Sequence, residues 1–213
     1  MKRVPAVLAL ALACALPLRA SETVRHFTQD LAIQNADKVA LDFPVGEVRV
    51  TGWDQRQVQL DVRLKCHRET DRCIAAAKAV RLVYRVSGDT LRVEIKNWPK
   101  FSGGKGLQVE AQVSVPRDLP LIANLGVGEL NISGLEADLD GDLGVGELRV
   151  TLPQAAVHEV HLDTGIGESS LVAGGHRFER GGLISRGIDW RDGSGRSTIH
   201  LDCGVGEIAV TLK

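Results

Sequence analysis

Apolar and polar residues alternate along most of the segment from Lys38 to Pro116. The pattern is clearest from Val58 to Leu64 and from Leu107 to Val115, where every second residue is apolar. A period of two residues is typical of a β-strand that buries one face. The stretches 80–86 and 91–95 flank SGDT, which predicts a hairpin. We therefore predict an N-terminal β-meander over about residues 38–116.

From about residue 119 to residue 213 the pattern becomes a repeat. The stretch LGVGELRV at Leu143 has near copies, LGVGELNI and CGVGEIAV, and diluted ones, TGIGESSL and GIDW. The apolar residue of each glycine motif marks the repeat, which recurs about every twenty residues: Val127, Val145, Ile166, Ile188 and Val205. Such a period is typical of stacked supersecondary units. We predict about five rungs, each burying its marker residue against its neighbours.

The glycines of the motif raise the question of whether it is a phosphate-binding loop or a structural corner. A phosphate loop is a single site that precedes a helix, whereas each copy here is followed by alternation typical of a strand. Glycine suits a corner because it adopts positive φ and allows close backbone approach. The predicted corner glycines are Gly126, Gly128, Gly144, Gly146, Gly165, Gly167, Gly204 and Gly206.

The predicted fold class is therefore all-β, with the meander continuing into a C-terminal β-solenoid of stacked β-arcs with Gly-x-Gly-Glu corners. Residues 21–213 are expected to form one elongated domain. The last strand, from Glu207 to Lys213, is expected to leave an exposed edge that could pair with another chain, including a second copy.

A glutamate follows each full corner, and these side chains are predicted to form one column: Glu47, Glu129, Glu147, Glu168 and Glu207. If the rungs pair in register, successive carboxylates lie about 4.8 Å apart and repel each other unless something intervenes. In one interpretation each carboxylate accepts backbone N–H bonds or faces water. In the other, the column is a calcium ladder, although known calcium repeats use more aspartates per turn.

One short helix is predicted from TDRCIAAAKA, with Thr70 or Asp71 as its cap. Cys66 and Cys73 bracket CHRETDRC, and in an oxidising compartment they are expected to form a disulfide that contributes about 2–3 kcal/mol. The alternative is a zinc site that adds His67, but no fourth ligand follows at a familiar spacing.

The first twenty residues have the layout of a secretory signal peptide. Lys2 and Arg3 precede an apolar run that is too short to span a bilayer, and Ala20 is a small residue suited to cleavage. We expect a protein of the periplasm, or one secreted to the cell surface. In a rival interpretation Cys14 carries a lipid anchor.

Composition and motifs exclude several functional classes. Without residues 1–20 the chain has 23 basic and 27 acidic residues, a net charge of −4, so no nucleic-acid partner is indicated. His158 and His161 are three apart in a predicted strand and would face opposite ways, so they do not suggest a shared metal. No Ser/His/Asp or Cys/His constellation is recognisable. We predict no enzymatic activity, no cofactor and no metal.

The order of the motifs resembles a known family. GEVRVTGWD, a hairpin region, VSVPRDLPLIANLGVGELNISGL and DGDLGVGELRV follow one another from about Val39 to Lys213. This order resembles the bacterial "putative adhesin" family of exported repeat domains of unknown function. The resemblance implies a β-solenoid-like stack and surface attachment, and it brings no catalytic residues. The GVGE corners and the CHRETDRC insertion depart from the family pattern, so no particular ligand is implied.

The repeat degenerates between Gly174 and Ser197, where basic and aromatic residues accumulate in an otherwise acidic chain. These residues are the candidate ligand or partner site: Arg177, Phe178, Arg180, Arg186, Trp190, Arg191 and Arg196. Arginines beside aromatic rings suit anionic groups such as phosphates or uronic acids. The competing interpretation is a solvated loop with Trp190 tucked over the end of the stack.

The predicted function is that of a non-enzymatic envelope protein, an adhesin-like or polymer-binding module. The expected partner is an anionic envelope polymer or another envelope protein. The alternative is an accessory or sensory partner of an envelope-stress regulator that binds one discrete protein.

Overall fold

A computed structural model describes residues 22–68, 70–99, 106–182, 187–191 and 193–213. The proposed signal peptide, with Cys14, lies outside these residues, as does Arg186 of the candidate site. The described residues form twelve strands and one α-helix, so the all-β prediction is confirmed.

The helix α1 covers Asp71–Ala79, and a single 3-10 turn covers Gln154–Ala156. The strands are β1 (Glu22–Ala32), β2 (Lys38–Trp53), β3 (Gln57–Cys66), β4 (Arg81–Ser87), β5 (Thr90–Lys96), β6 (Leu107–Pro116), β7 (Leu121–Ser133), β8 (Leu139–Leu152), β9 (Val157–Ala173), β10 (His176–Gly182), β11 (Ile188–Trp190) and β12 (Ser197–Leu212).

All twelve strands belong to one sheet, which stays open in the described part of the chain. Its main path runs β1-β3-β6-β2-β7-β8-β12-β9-β10. The hairpin β4–β5 joins the first part of β2, and β11 joins the first part of β9. The final strand β12 therefore lies between β8 and β9, with parallel neighbours on both sides.

Five long strands, β2, β7, β8, β12 and β9, form a parallel stack in which the repeats lie in register. Val127 pairs with Val145, Val145 with Val205, and Val205 with Ile166. The first of these strands, β2, joins through Val45, which pairs with Val127. Because each repeat pairs with its own equivalent, side chains of one kind form columns across the stack.

In each strand of the stack the buried face changes at the glycine motif. In β7 the buried residues are Leu121, Ala123 and Leu125 before the motif, but Leu130 and Ile132 after it. Buried positions change from odd to even numbers, so both halves of the strand turn an apolar face to one core. We call the halves before and after the motif the first arm and the second arm.

The motif requires glycine because neighbouring backbones approach too closely for a Cβ atom. Gly128 has φ +137°, and a Cβ there would lie 1.9 Å from the carbonyl oxygen of Gly46. Gly146, one rung further along the stack, has φ +139° and would meet the oxygen of Gly128 at 1.8 Å. Each rung therefore packs its corner directly onto the backbone of the rung beside it.

The core is made of the columns that point between the two arms. One column runs through Phe43, Leu125, Leu143 and Cys203, all buried. It ends at Thr164 in β9, whose hydroxyl hydrogen-bonds that of buried Ser169 at 2.6 Å. The pair satisfies two polar groups that would otherwise be costly to bury at the last rung.

Local predictions in the first half are confirmed. Arg81–Ser87 and Thr90–Lys96 form the hairpin, and Gly88 lies in its turn with φ +62°. Thr70 caps α1 by accepting a hydrogen bond from the backbone N–H of Cys73 at 3.2 Å. Cys66 and Cys73 form a disulfide, so the zinc alternative is wrong.

Four predictions about long-range arrangement are wrong. Residues 38–116 do not form a meander, because β2 pairs in parallel with β5, β6 and β7. The GIDW copy is no parallel rung, because β11 pairs antiparallel with β9. Glu207–Lys213 is no edge, because β12 has a strand on each side. The marker residues of the four full repeats are exposed and not buried: Val127, Val145, Ile166 and Val205.

The corner geometry predicts that Gly128→Ala destabilises the chain by about 3 kcal/mol or more, because the new Cβ would overlap a backbone oxygen at positive φ. Urea unfolding of residues 21–213, monitored by circular dichroism, measures the effect. Gly88→Ala is the control: its φ is also positive, but nothing lies within 4 Å. It should cost about 1–2 kcal/mol, and equal losses in the two variants would contradict the proposed close approach.

Candidate functional site

The candidate residues Arg177, Phe178 and Arg180 lie on β10, at one end of the stack. Phe178 pairs with Leu171 and Arg180 with Ser169, so both share the face of buried residues. Arg177 has the opposite orientation and forms an ion pair with Glu179. Phe178 and Arg180 therefore border the open end of the core, whereas Arg177 belongs to the outer surface of the second arm.

Trp190 and Arg191 lie at the end of the first arm. Trp190 pairs with Val160 and packs, half-buried, against the core, as the competing interpretation expected. Arg191 forms an ion pair with Glu159, whose carboxylate also lies 2.7 Å from Nε2 of His161. These residues close the edge of the first arm.

The structure brings only some of the candidate residues together. Phe178 and Arg180 line a cleft of about 430 Å³ with Gly187, Ile188 and Asp189. Arg196 is elsewhere: its backbone N–H donates to the carbonyl of Ala156 at 2.9 Å, where the first arm begins. An anion-binding role for the whole set stays a prediction, and two of its arginines already have carboxylate partners.

A row of ionisable residues covers the outer face of the first arm. Asp202 lies between Asp142 and Asp163 in the register, and His200 lies between Asp140 and His161. The two imidazole rings stack with centroids 4.6 Å apart, and Nδ1 of His161 lies 2.5 Å from Asp189. The described residues contain no group of three or more His, Cys, Asp or Glu side chains suited to a metal ion.

Burial and repulsion within this row both act on Asp202. Partial burial raises the pKa of its carboxyl group, and the negative charges of Asp163, Asp142 and Asp140 raise it further, while His200 opposes them. The ionised form of Asp202 is therefore less favourable in the folded chain than in water.

The glutamate column lies on the outer face of the second arm. Register pairs join Glu47 to Glu129, Glu129 to Glu147, Glu147 to Glu207 and Glu207 to Glu168. Two arginines relieve the repulsion at one end: one guanidinium bridges Glu129 and Glu147, and another pairs with Glu47. The calcium ladder was the alternative interpretation of this column, and it stays untested.

The marker residues form an exposed apolar ridge along the corners, which the sequence reading did not predict. Val127, Val145, Val205 and Ile166 are 43–50% exposed, and Val45 continues the column at β2. Their outward direction follows from the parity change, because the residue between two glycines stands at the outside of the bend. The signal was present in the sequence, since a glycine on each side leaves the apolar residue without local cover.

The geometry defines a class of protein, an all-β protein of stacked repeats whose surfaces are columns of equivalent side chains. The chain belongs to the Toast_rack_N family, described as the N-terminal domain of toast_rack (DUF2154), and residues 20–172 match it. The resemblance to a "putative adhesin" family of unknown function, inferred from the order of the motifs, is thereby confirmed.

One solved structure supports the fold. A "putative cell adhesion protein" from Clostridium sporogenes is 16% identical, covers 89% of this chain and 99% of its own, and gives a TM-score of 0.55. At that identity the similarity shows a shared fold and no shared ligand. Two further proteins have TM-scores too low to support an argument. They are a "putative adhesin" from Bacteroides fragilis (14% identity, 87% and 97% coverage, 0.28) and a "putative lipid binding protein" from Parabacteroides distasonis (14%, 60% and 55%, 0.26).

No curated protein matches the sequence. Among the described residues, no helix has the length and apolar character needed to cross a membrane.

The acidic row predicts that Asp202→Asn raises the melting temperature at pH 7. A raised folded-state pKa means that the protonated form stabilises the fold, and this contribution is lost as pH rises through that pKa. The gain should shrink as pH falls towards 3.8, the ordinary value for Asp. Melting curves from about pH 3 to about pH 8, which run from just below that value to about 4 units above it, measure the effect.

Asp89→Asn is the matched control, with the opposite sign. A hydrogen bond from Thr90 and the ammonium of Lys38, 3.2 Å away, lower the pKa of Asp89. Its stabilising contribution exists above the ordinary pKa and is lost in acid, so this variant should lower the melting temperature at pH 7. If Asp202→Asn lowered the melting temperature at pH 7 as Asp89→Asn does, the burial and repulsion assigned to Asp202 would be refuted.

Proposed function

We propose that the chain is a non-enzymatic, adhesin-like module of the bacterial cell envelope that binds another envelope macromolecule through its apolar ridge. The proposal treats the stack as a β-solenoid whose Gly-x-Gly-Glu corners present the ridge. Family membership and the shared fold of the cell adhesion protein support it.

The observation that carries the proposal is the contiguity of the exposed apolar residues. Single exposed apolar residues are common on protein surfaces, but a continuous row of them marks an interaction site. Val127, Val145, Val205 and Ile166 are neighbours in the register, so at about 4.8 Å per strand the row extends roughly 15 Å. The row follows the rigid parallel stack, which keeps its shape before a partner binds.

The charge beside the ridge favours a protein partner over a polyanion at this surface. The glutamate column runs two residues from the ridge on every rung, and Glu207 and Glu168 lie beyond the two arginines that neutralise the other glutamates. An anionic polymer laid along the ridge would meet these carboxylates, whereas a protein can offer apolar and basic side chains together.

Export supports the same assignment. The Cys66–Cys73 disulfide suits an oxidising compartment, and the first twenty residues have the layout of a signal peptide. We place the protein in the periplasm or at the cell surface.

The proposal predicts that Val127→Asn, Val145→Asn and Val205→Asn together weaken binding to isolated envelopes about tenfold, because the contact surface becomes polar. Labelled protein of residues 21–213 is titrated onto envelopes of the bacterium that encodes it. The control carries Ser133→Asn, Thr151→Asn and Thr211→Asn, an in-register row on the second arm of the same strands.

The control should bind as the parent does, and circular dichroism should show both variants folded. Equal binding by the parent and the ridge variant would refute the role of the ridge in binding. Saturable binding that protease treatment of the envelopes abolishes would identify the partner as protein. Binding that survives the protease would instead identify a polymer.

A further inference from the structure

A second charged surface lies on the β4–β5 hairpin, far along the sheet from the acidic row. In the hairpin, Arg81 pairs with Lys96, and Arg85 pairs with Arg92. Glu94 stands between these two pairs, opposite Val83. Directly paired residues of an antiparallel ladder share a face, and residues two apart on one strand do so as well. All four cationic residues therefore project from the face that holds Glu94.

The carboxylate at the centre of this basic cluster is buried beneath the cations. Glu94 is only 5% exposed, and its oxygens lie 3.2 Å from Nη1 of Arg85 and 2.5 Å from Nζ of Lys96. The ammonium of Lys96, the guanidinium of Arg85 and that of Arg92 lower its pKa, in that order. The carboxylate therefore stays ionised and holds the cationic groups in place from below.

The cations remain open to solvent on their other side. The side chains of Arg85 and Lys96 are 56% and 51% exposed. Four positive charges face the carboxylate of Glu94 and that of Asp42, its register partner on β2, which leaves an excess of two within the cluster. A buried acid that orients basic side chains towards water reduces the entropy that a ligand would otherwise lose on ordering them.

This excess distinguishes the cluster from the other basic residues of the sheet. Arg149 bridges two glutamates and Arg49 pairs with a third. On β3, Arg63 and Lys65 share Glu110, and Arg63 also pairs with Asp61. In those places the carboxylates match or outnumber the cations, so ion pairs within the protein neutralise the positive charge.

We infer that the face formed by Arg81, Arg85, Arg92 and Lys96 is a binding site for a polymer with repeating anionic groups. The inference adds a second surface to the proposed function and does not depend on the ridge. The two cationic pairs are four residues apart, about 13 Å along the strands. That span covers several anionic groups of one chain and is too long for a single small ion.

Phosphate and carboxylate groups are the chemistry that this face recognises. A guanidinium donates two parallel N–H bonds to either group, and the three arginines supply that geometry. Two polymers distinguish phosphate recognition from carboxylate recognition: inorganic polyphosphate presents phosphates, and polygalacturonate presents carboxylates.

The test is fluorescence titration of residues 21–213 with each labelled polymer in low-salt buffer. Arg85→Gln with Arg92→Gln should weaken binding at least about tenfold, because both lost guanidinium groups donate charge-assisted hydrogen bonds to the polymer. The matched control, Arg49→Gln with Arg149→Gln, removes the same charge from the second arm and should leave the affinity within about twofold of the parent value.

Loss of Arg85 also removes a partner of buried Glu94, so a second variant guards against misfolding. Arg81→Gln leaves the contacts of Glu94 with Arg85 and Lys96 in place, and it should weaken binding severalfold while the melting curve stays unchanged. The ridge variant should bind both polymers as the parent does, which separates this site from the proposed function.

Three outcomes would overturn the inference. They are no binding of either polymer by the parent chain, equal losses in the hairpin and control variants, and an Arg81 variant that binds as the parent does. Preference for polyphosphate or for polygalacturonate would assign the phosphate or the carboxylate source.

Discussion

The close contact between neighbouring backbones at the corners is the constraint on which the rest of the structure depends. A carbonyl oxygen of one rung occupies the place where a Cβ of the next would stand, so only glycine fits at Gly128 and Gly146. This contact fixes the register, since a shift of one residue would bring a side chain into it. With the register fixed, each arm keeps its apolar face towards the core.

In-register stacking also decides the surface chemistry. A residue type repeated in every rung becomes a column, so a modest sequence preference becomes a continuous apolar, acidic or mixed strip. The glutamate column is tolerated where Arg49 and Arg149 stand beside it. In the row around Asp202, partial burial and the neighbouring carboxylates together raise the pKa of that group. Basic charge collects instead on the hairpin, which lies outside the parallel stack.

Features set by nearby residues could be predicted from the sequence, whereas features set by distant pairing could not. Alternation predicted the strands, SGDT the hairpin, and Thr70 the helix cap, because each depends on a few adjacent residues. The position of β12 between β8 and β9 has no local signal. The same holds for the candidate site: Arg177 and Arg196 are close in sequence but lie on different arms, while Arg85 and Glu94 meet only through strand pairing.

The placement of β12 also constrains how the chain reaches its native state. β9 precedes β12 in the sequence, yet it reaches the stack only through β12, so it has no native parallel neighbour until the last strand arrives. Synthesis proceeds from the amino end, and folding that requires late, non-local pairing is slow. The nascent stack therefore ends at β8, with an unprotected edge, until the final segment is available. Chaperone protection during transit would matter most in that interval. A truncation that removes β12 would expose the edges of both β8 and β9.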